Sequence, residues 1–516
     1  MPIFAFMSQE GGISESSRRI ARNSIALYVR MFVLMLVSLF TARIVLNALG
    51  TEDRGVYETV GSFVSMMSLL TSALSTAISR FLTVEMARSD ADAMRKVFAT
   101  AQGILLIISA VVLLVAEPLG IWYVQNVMNL PPGRTQAALW LFQFSLGTFL
   151  ITLLSIPFNA SIFAHEKMGV YAVIGMAEGL LKLGVAIAIL HAPFDRLVFY
   201  GLLLLVVAIA VRTAYALYCR AHFPESKAGV KLERKYVGAM FGFAGWNGLS
   251  QGIAILNAHG VTQLVNYFFG VVFNTMRGLA LNAENMVKQF IANVIVAINP
   301  QITKSYASGN IAHSSLLVCK GVKFAFLIGF TLSLPFFFEA DAILHLWLGD
   351  KFVPEGTDLF TKLGLVCMIL DISFNPLSTF VQAQGNIKRF YIMYSCVTVL
   401  VFPVTWLLFR LGCPPASMYL VLMADYLLLD ILKLVVGSRT YRFPIGMFFK
   451  ETLLRIAPVG ILSLIGTWGI YLALPAGWWR LIAVLAGGTL LVVITTWLFA
   501  LTPGEKDFAL EKIRRK

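Results

Sequence analysis

The chain has 516 residues, 58% of them hydrophobic and only 13% charged, with a formal net charge of +14. An ordinary soluble protein carries roughly 25% charged residues, so a water-soluble globule is excluded. A bilayer-spanning helix takes about 20 largely apolar residues; the hydrophobic total suffices for roughly fourteen such spans and leaves no stretch for a sizeable soluble domain.

Apolar runs broken by Pro, Gly and charge clusters predict spans at 24–47, 56–83, 96–117, 136–160, 169–191, 197–218 and 237–260. A second set follows at 273–299, 319–345, 357–383, 390–411, 415–437, 452–474 and 480–502. The runs far exceed the 9 to 11 residues of a barrel strand and do not alternate, so helices are required. The predicted fold class is an all-α polytopic membrane protein of about fourteen transmembrane helices.

Lys and Arg are distributed by side. The even-numbered side, which holds both termini, carries 24 of the 41 cations against 12 acids; the opposite loops carry 6 against 7, and the spans 11 against 8. By the positive-inside rule both termini are predicted to be cytoplasmic. Most of the +14 is therefore a topology signal rather than a nucleic-acid signal, and only a small surplus within the membrane bears on substrate. The first 23 residues lack an apolar core followed by a small-residue cleavage site, so the first span is expected to act as its own signal. The five cysteines imply no exported disulfide framework, and the six histidines show no metal-ligand spacing. Neither a metal site nor a cofactor is expected.

Leu46-Asn47-Ala48-Leu49-Gly50 matches Leu256-Asn257-Ala258-His259-Gly260 at an offset of 210, and Ala77, Ile78, Thr83 and Ala87 match Ala297, Ile298, Thr303 and Ala307 at an offset of 220. The two offsets would place a ten-residue insertion between spans 7 and 8. The pattern predicts a parallel repeat of two six-helix lobes with the substrate path between them. The division is an N-terminal lobe at 1–218, a basic cytoplasmic linker at 219–236, a C-terminal lobe at 237–437, and an appended pair, spans 13 and 14, with the tail at 438–516.

Ionisable residues at bilayer depth are costly and normally face a protein interior or a wet cavity. Span 8 places Arg277, Glu284 and Lys288 within about 40° of one another, beside Asn274, Asn282, Asn285 and Gln289. The column reads either as the polar wall of a translocation cavity or as a Glu284–Lys288 ion pair at i to i+4. Span 1 carries Arg30 and Arg43 on different faces, and span 7 carries Asn247 and Gln251. Glu178 with Lys182, and the lone carboxylates Asp371 (with Asn375) and Asp425, are the candidates for ion coupling. Arg80, Arg212, Lys433 and Arg455 are placed to snorkel to the cytoplasmic interface. Kinks should concentrate in the second half, at Pro335, Pro376, Pro403 and Pro458. The stripe of Gly238, Gly242, Gly245 and Gly252 permits close helix packing or bending. No G-x-x-x-x-G-K-[ST] phosphate loop is present, and the external loops are too short for a glycosyltransferase or polysaccharide polymerase, so an enzyme is disfavoured.

Two segments carry a resemblance: Arg19-Ile20-Ala21-Arg22-Asn23-Ser24 leading to Leu46 through Tyr57, and Asn274-Thr275-Met276-Arg277-Gly278 through Asn299-Pro300-Gln301-Ile302-Thr303-Lys304-Ser305-Tyr306. With the two-lobe-plus-pair organisation they make the chain similar to the multidrug/oligosaccharidyl-lipid/polysaccharide exporter superfamily, and within it to the Wzx-type polysaccharide flippases of O-antigen and capsule loci. The resemblance implies translocation of an undecaprenyl-pyrophosphate-linked oligosaccharide across the bacterial inner membrane by alternating access. Its implied partners are that lipid-linked oligosaccharide, membrane lipids, and a polysaccharide polymerase and glycosyltransferases, with no nucleic acid. In related lipid II flippases arginines of spans 1, 2 and 8 line the cavity; Arg30 and Arg277 match two of these by location, whereas the outer part of span 2 offers Glu58. An ion-coupled multidrug exporter is the alternative within the superfamily.

Overall fold

In the computed structural model, residues 15–88, 90–383 and 388–514 are described. The side chains of 15–28 and 243–251 and of a few other helical positions lie outside the described residues, and with them Arg19–Ser24, Asn247 and Gln251. Every regular element described is helical: α1 (Glu15–Ser65), α2 (Ser68–Ala87), α3 (Ala91–Asn126), α4 (Thr135–Ala164), α5 (Met168–Ala188), α6 (Arg196–His222), α7 (Arg234–Phe269), α8 (Val271–Ala307) and α9 (Ile311–Leu348). They continue with α10 (Thr357–Ser373), α11 (Asn375–Gln382), α12 (Lys388–Thr398), α13 (Val401–Arg410), α14 (Ser417–Tyr441), α15 (Ile445–Phe448), α16 (Leu454–Ala473), α17 (Trp478–Thr495) and α18 (Pro503–Arg514).

Each of the fourteen predicted spans coincides with a helix or a broken pair of helices. Ten helices among the described residues are long and apolar enough to cross a membrane on their own, which makes the chain a multi-pass membrane protein. α2, α7, α8 and α14 are not among them. The cause is chemical in two of these: any membrane-length stretch of α14 contains Asp425, Asp430 and Lys433, and α8 is diluted by Asn274, Arg277, Glu284, Lys288 and Gln289. Helices carrying this much polarity are stable in a bilayer only where neighbours cover it.

Two glycines turn the chain between consecutive spans. Gly50 (φ 75°, ψ 179°) breaks α1, and Gly270 (φ 86°, ψ −178°) separates α7 from α8. This conformation is essentially closed to residues with a Cβ. The two corners lie 220 residues apart, the offset of the second set of sequence matches. α7 runs on through Gly260 to Phe269, so the expected insertion between spans 7 and 8 is absent and the 210-offset match is out of register. Gly270→Ala is predicted to cost about 1–3 kcal/mol, read as a lowered melting temperature in detergent, whereas Gly238→Ala, at a site with open space around the added carbon, should be near neutral.

The four second-half prolines all lie beside irregularities. Glu339 is non-helical four residues beyond Pro335; Phe374 separates α10 from α11 just before Pro376; the α12–α13 break precedes Pro403; and a π turn at Phe449–Leu453 precedes Pro458. A proline removes one helix donor and crowds the preceding turn, which accounts for the irregularities before Pro376, Pro403 and Pro458; the one at Glu339 lies beyond Pro335, and Pro118, Pro157 and Pro300 sit inside helices.

The chain forms two compact units, Met1–Gln263 and Leu264–Lys516. In the first, α1 packs on α5, and α4 on α2, α3 and α6. The division falls within α7 rather than at 219–236, because the end of α7 is tied into the first unit: His259 Nδ1 lies 3.0 Å from Ser62 Oγ, and Gln263 Nε2 donates to the Thr59 carbonyl at 2.9 Å. The basic linker is itself docked on this unit. Glu225 pairs with His165 at 2.8 Å, the His165 ring stacks on Phe223, and the Glu233 N–H donates to Thr100 Oγ1. The glycine stripe does not serve packing throughout: Gly252 meets Leu69, but Gly238 and Gly242 face open space.

Three predicted external segments meet at the opposite end of the first unit. Arg134 holds Asp53 through Nε at 2.7 Å and Nη2 at 2.5 Å, and Asp195 through Nη1 at 2.5 Å. Asp195 also caps α6, and Arg196 Nη1 donates to the Ala48 carbonyl beside the Gly50 corner. Arg54, expected in a loop, lies instead on the helix that leaves this corner, buried and paired with Glu58. Span 2 therefore begins earlier than predicted, and its outer half does hold an arginine, already neutralised.

In the second unit the appended pair α16–α17 docks on α9 through Leu327, Phe330 and Leu334 against Val459, Val492 and Ala500. Ion pairs fasten both ends. Lys323, 1% exposed, reaches Glu505 at 2.6 Å and the Ala500 carbonyl at 3.1 Å. Arg480 grips Glu339 and lies 4.3 Å over the Tyr471 ring. Burial alone would raise the Glu505 carboxyl, but the hydrogen bonds from Lys323 and the Thr502 N–H prevail and hold it below its ordinary range. A depressed carboxyl stabilises the fold fully above its unfolded value, about 4.3, and loses that contribution as pH falls through the folded value. Glu505→Ala should therefore lower the melting temperature at neutral pH, the cost being about 3 kcal/mol for a cation left buried and unpaired. The gap from the wild type should close below about pH 4.

Candidate functional site

The polar side chains that membrane-spanning helices would otherwise exclude gather in two places. In the second unit they come from α8, α10 and α14. Asn274 and Arg277 are buried, at 1% and 5% exposure, and Arg277 Nη1 lies 3.3 Å from Met418 Sδ. About two turns further on, Glu284 lies against Gly364 of α10, where any side chain would collide with its carboxylate. Its Oε1 has no hydrogen-bond partner among the described residues. The expected Glu284–Lys288 pair is not formed. Lys288 turns to Asp371 of α10 at 2.7 Å, so Asp371 is not the lone carboxylate anticipated. The pair stays accessible, with 43% and 36% of the two side chains exposed. The α8 column thus divides: Asn274, Arg277 and Glu284 lie inside the unit, and Lys288 on an accessible surface. The physical reason is that Gly364 lets α10 close over Glu284, while the Asp371 carboxylate offers Lys288 a cross-helix partner.

Asp425 is buried in α14, with Oδ1 lacking a partner among the described residues, and within Coulombic reach of Asp371 and Lys433. Lys433, expected to snorkel, is instead buried and bound to Asp430 at 2.8 Å. The pairing is explained by spacing, since Asp430 and Lys433 share a helix face at i to i+3. Sequence reading passed over Asp430; the Asp-x-x-Lys pattern inside an apolar run was the available signal. Asn375, at the α10–α11 break, accepts from Asn299 Nδ2 at 3.2 Å.

In the first unit Arg30 packs against α5. Its guanidinium lies 4.7 Å over the Tyr171 ring, and Gly175 leaves the room it occupies. Its Nε is buried without a hydrogen-bond partner. Glu178 is bound to Lys182 of the same helix at 2.6 Å, with 36% and 49% exposure, and is already neutralised. Arg43 is exposed on α1. Among the described residues no group of three or more His, Cys, Asp or Glu is arranged to hold a metal ion.

The fold of this two-unit, all-helical membrane protein can be assigned by comparison. No protein-family model and no curated relative matches the sequence. Solved structures do match. An inward-facing multidrug resistance MATE transporter of the MOP superfamily aligns with TM-score 0.66 at 12% identity, covering 82% of this chain and 99% of its own. The lipid II flippase MurJ, in an inward closed conformation, aligns with TM-score 0.68 at 13% identity, covering 93% of this chain and 98% of its own. A MOP superfamily transporter from Pyrococcus furiosus, described as having a binding pocket of reverse polarity, gives TM-score 0.54 at 14% identity over 84% of this chain. The chain therefore has the MOP transporter fold, shared by multidrug exporters and a lipid flippase; the structures it resembles are transporters and not enzymes.

Proposed function

We propose that this protein is a flippase that moves an undecaprenyl-pyrophosphate-linked oligosaccharide across the bacterial inner membrane, with both termini cytoplasmic, for assembly of a surface polysaccharide. The observation that carries the reading is the presence of three cations within predicted spans 1 and 8. Arg30 lies over the Tyr171 ring, Arg277 is buried beside Met418 and within Coulombic reach of Glu284, and Lys288 pairs with the accessible Asp371. A pyrophosphate group is the substrate chemistry that such cations suit, since guanidinium binds phosphate bidentately and ammonium binds it as a point charge.

In this reading Arg30, Arg277 and Lys288 contact the phosphate and glycan, while Asn274 and Arg43 contribute polar lining. Glu284 orients Arg277. Asp425, buried and short of a partner, exchanges the coupling ion with Asp371. Arg30→Ala and Arg277→Lys, introduced into a strain lacking its own flippase, should each reduce surface polymer at least tenfold at wild-type membrane abundance. Full polymer from Arg30→Ala, Arg277→Lys and Lys288→Ala alike would refute the assignment.

A further inference from the structure

Span 2 is discontinuous near its middle. α1 ends at Ser65 and α2 begins at Ser68, with Met66 and Met67 in a turn between them. Irregular backbone at bilayer depth is tolerated only where protein buries it or where it borders a polar cavity, and broken helices commonly mark binding sites in transporters. Beside this break, wholly within the first unit, lies a pocket of about 260 Å³. Its polar lining is hydroxyl: Ser65, Ser68, Thr71, Ser145, Thr148 and Thr152, with the rings of Tyr57 and Phe149 on its wall and no charged residue.

The hydroxyls are of two kinds. Thr71 and Thr152 donate to carbonyls on their own helices, at 2.7 and 2.9 Å, and so present acceptor lone pairs. Ser65, Ser68, Ser145 and Thr148 make no side-chain hydrogen bond to protein among the described residues, and can donate as well as accept. An acyl chain would meet the apolar part of the wall but make no use of those four hydroxyls. A bare cation would find no carboxylate. The volume greatly exceeds what one water requires and falls just below that of pockets for drug-sized ligands, about 300 Å³ upward.

We infer that this pocket binds an uncharged, polyhydroxylated ring of monosaccharide size, with Ser145 and Thr148 exchanging hydrogen bonds with ring hydroxyls and Tyr57 packing on the ring's C–H face. The inference deepens the flippase reading and rests on it for the source of the ring, the glycan of the lipid-linked substrate; the pocket chemistry stands apart from that source.

The test uses the intact protein in nanodiscs and titration calorimetry with three probes: hexyl glucoside below its micellar concentration, a hexyl triethylene glycol ether that carries a single hydroxyl, and undecaprenyl pyrophosphate. The wild type should bind the glucoside about tenfold more tightly than the ether, the equivalent of one to two hydrogen bonds in a desolvated site. Ser145→Ala with Thr148→Val should abolish that preference and leave undecaprenyl pyrophosphate binding unchanged. Thr148→Ser, which keeps the hydroxyl, should retain it and controls for folding. An equal preference in the wild type and the double variant, or none in the wild type, would overturn the pocket assignment. Loss of the preference in the double variant, alongside a wild type that fails to bind undecaprenyl pyrophosphate, would leave the pocket standing and remove the lipid-linked substrate.

Discussion

Lys288→Ala is expected to reduce surface polymer to below a tenth of the wild-type level while the protein still reaches the membrane in normal amount. The cross-helix pair with Asp371 is partly open, so neither charge is committed to the fold as a buried pair would be. Removing the lysine has two consequences. It deletes a cation that a pyrophosphate can use, and it leaves Asp371 without its ion-pair partner and within Coulombic reach of a second carboxylate, Asp425. An unpaired carboxylate at the site repels a phosphate that the lysine would attract. The reversed pair, Lys288→Asp with Asp371→Lys, keeps the net charge and moves the cation to α10. It should recover a measurable part of the polymer, whereas Lys288→Asp alone should recover none. Recovery by the single reversal would show that the site tolerates any charge and would remove Lys288 from the substrate path.

Lys433→Ala should be the most damaging single change to stability. Asp430 and Lys433 are 4% and 6% exposed and bonded at 2.8 Å, and breaking a buried pair from one side leaves an uncompensated charge at a cost of about 3–5 kcal/mol. In a bilayer there is less water to rescue the orphaned carboxylate, so the loss should appear as poor membrane accumulation as well as a depressed melting temperature. Asp430→Asn combined with Lys433→Met removes both charges and should restore most of the stability. If transport falls in that stable double variant, the pair also serves the conformational cycle; if Lys433→Ala alone melts like the wild type, the buried pair is not a structural element.

What could be read from the sequence was set by the bilayer. Apolar length fixes helix existence, and Pro376, Pro403 and Pro458 follow irregular backbone, because both effects act locally along the chain. The appended pair at spans 13 and 14 was visible in the same way. Side-chain partnership was not. Glu284 and Lys288 stand at the favoured helical spacing, yet the glycine that opens α10 at Gly364 and the carboxylate of Asp371 lie some eighty residues further on, and their approach to α8 is a tertiary fact. Lys433 is different: its partner Asp430 stands three residues away on the same helix, so the Asp-x-x-Lys spacing made the pair legible in the sequence. The corner at Gly270 shows the opposite error, a local match at Gly260 taken for register when only backbone conformation distinguished the two glycines. The pocket at the span 2 break escaped because Ser and Thr at helical spacing look like ordinary membrane-helix residues until three helices bring six hydroxyls to one surface.

The central claim is that the cargo is an anionic glycolipid rather than a lipophilic cation. The decisive measurement is translocation in proteoliposomes containing the purified protein, a fluorescent undecaprenyl-pyrophosphate-linked oligosaccharide in one leaflet, and a cationic dye in a parallel set. The glycolipid should cross to the opposite leaflet at a rate above protein-free vesicles, Lys288→Ala should abolish the increment, and the dye should not move. Movement of the dye with no movement of the glycolipid would contradict it and assign the chain to drug export.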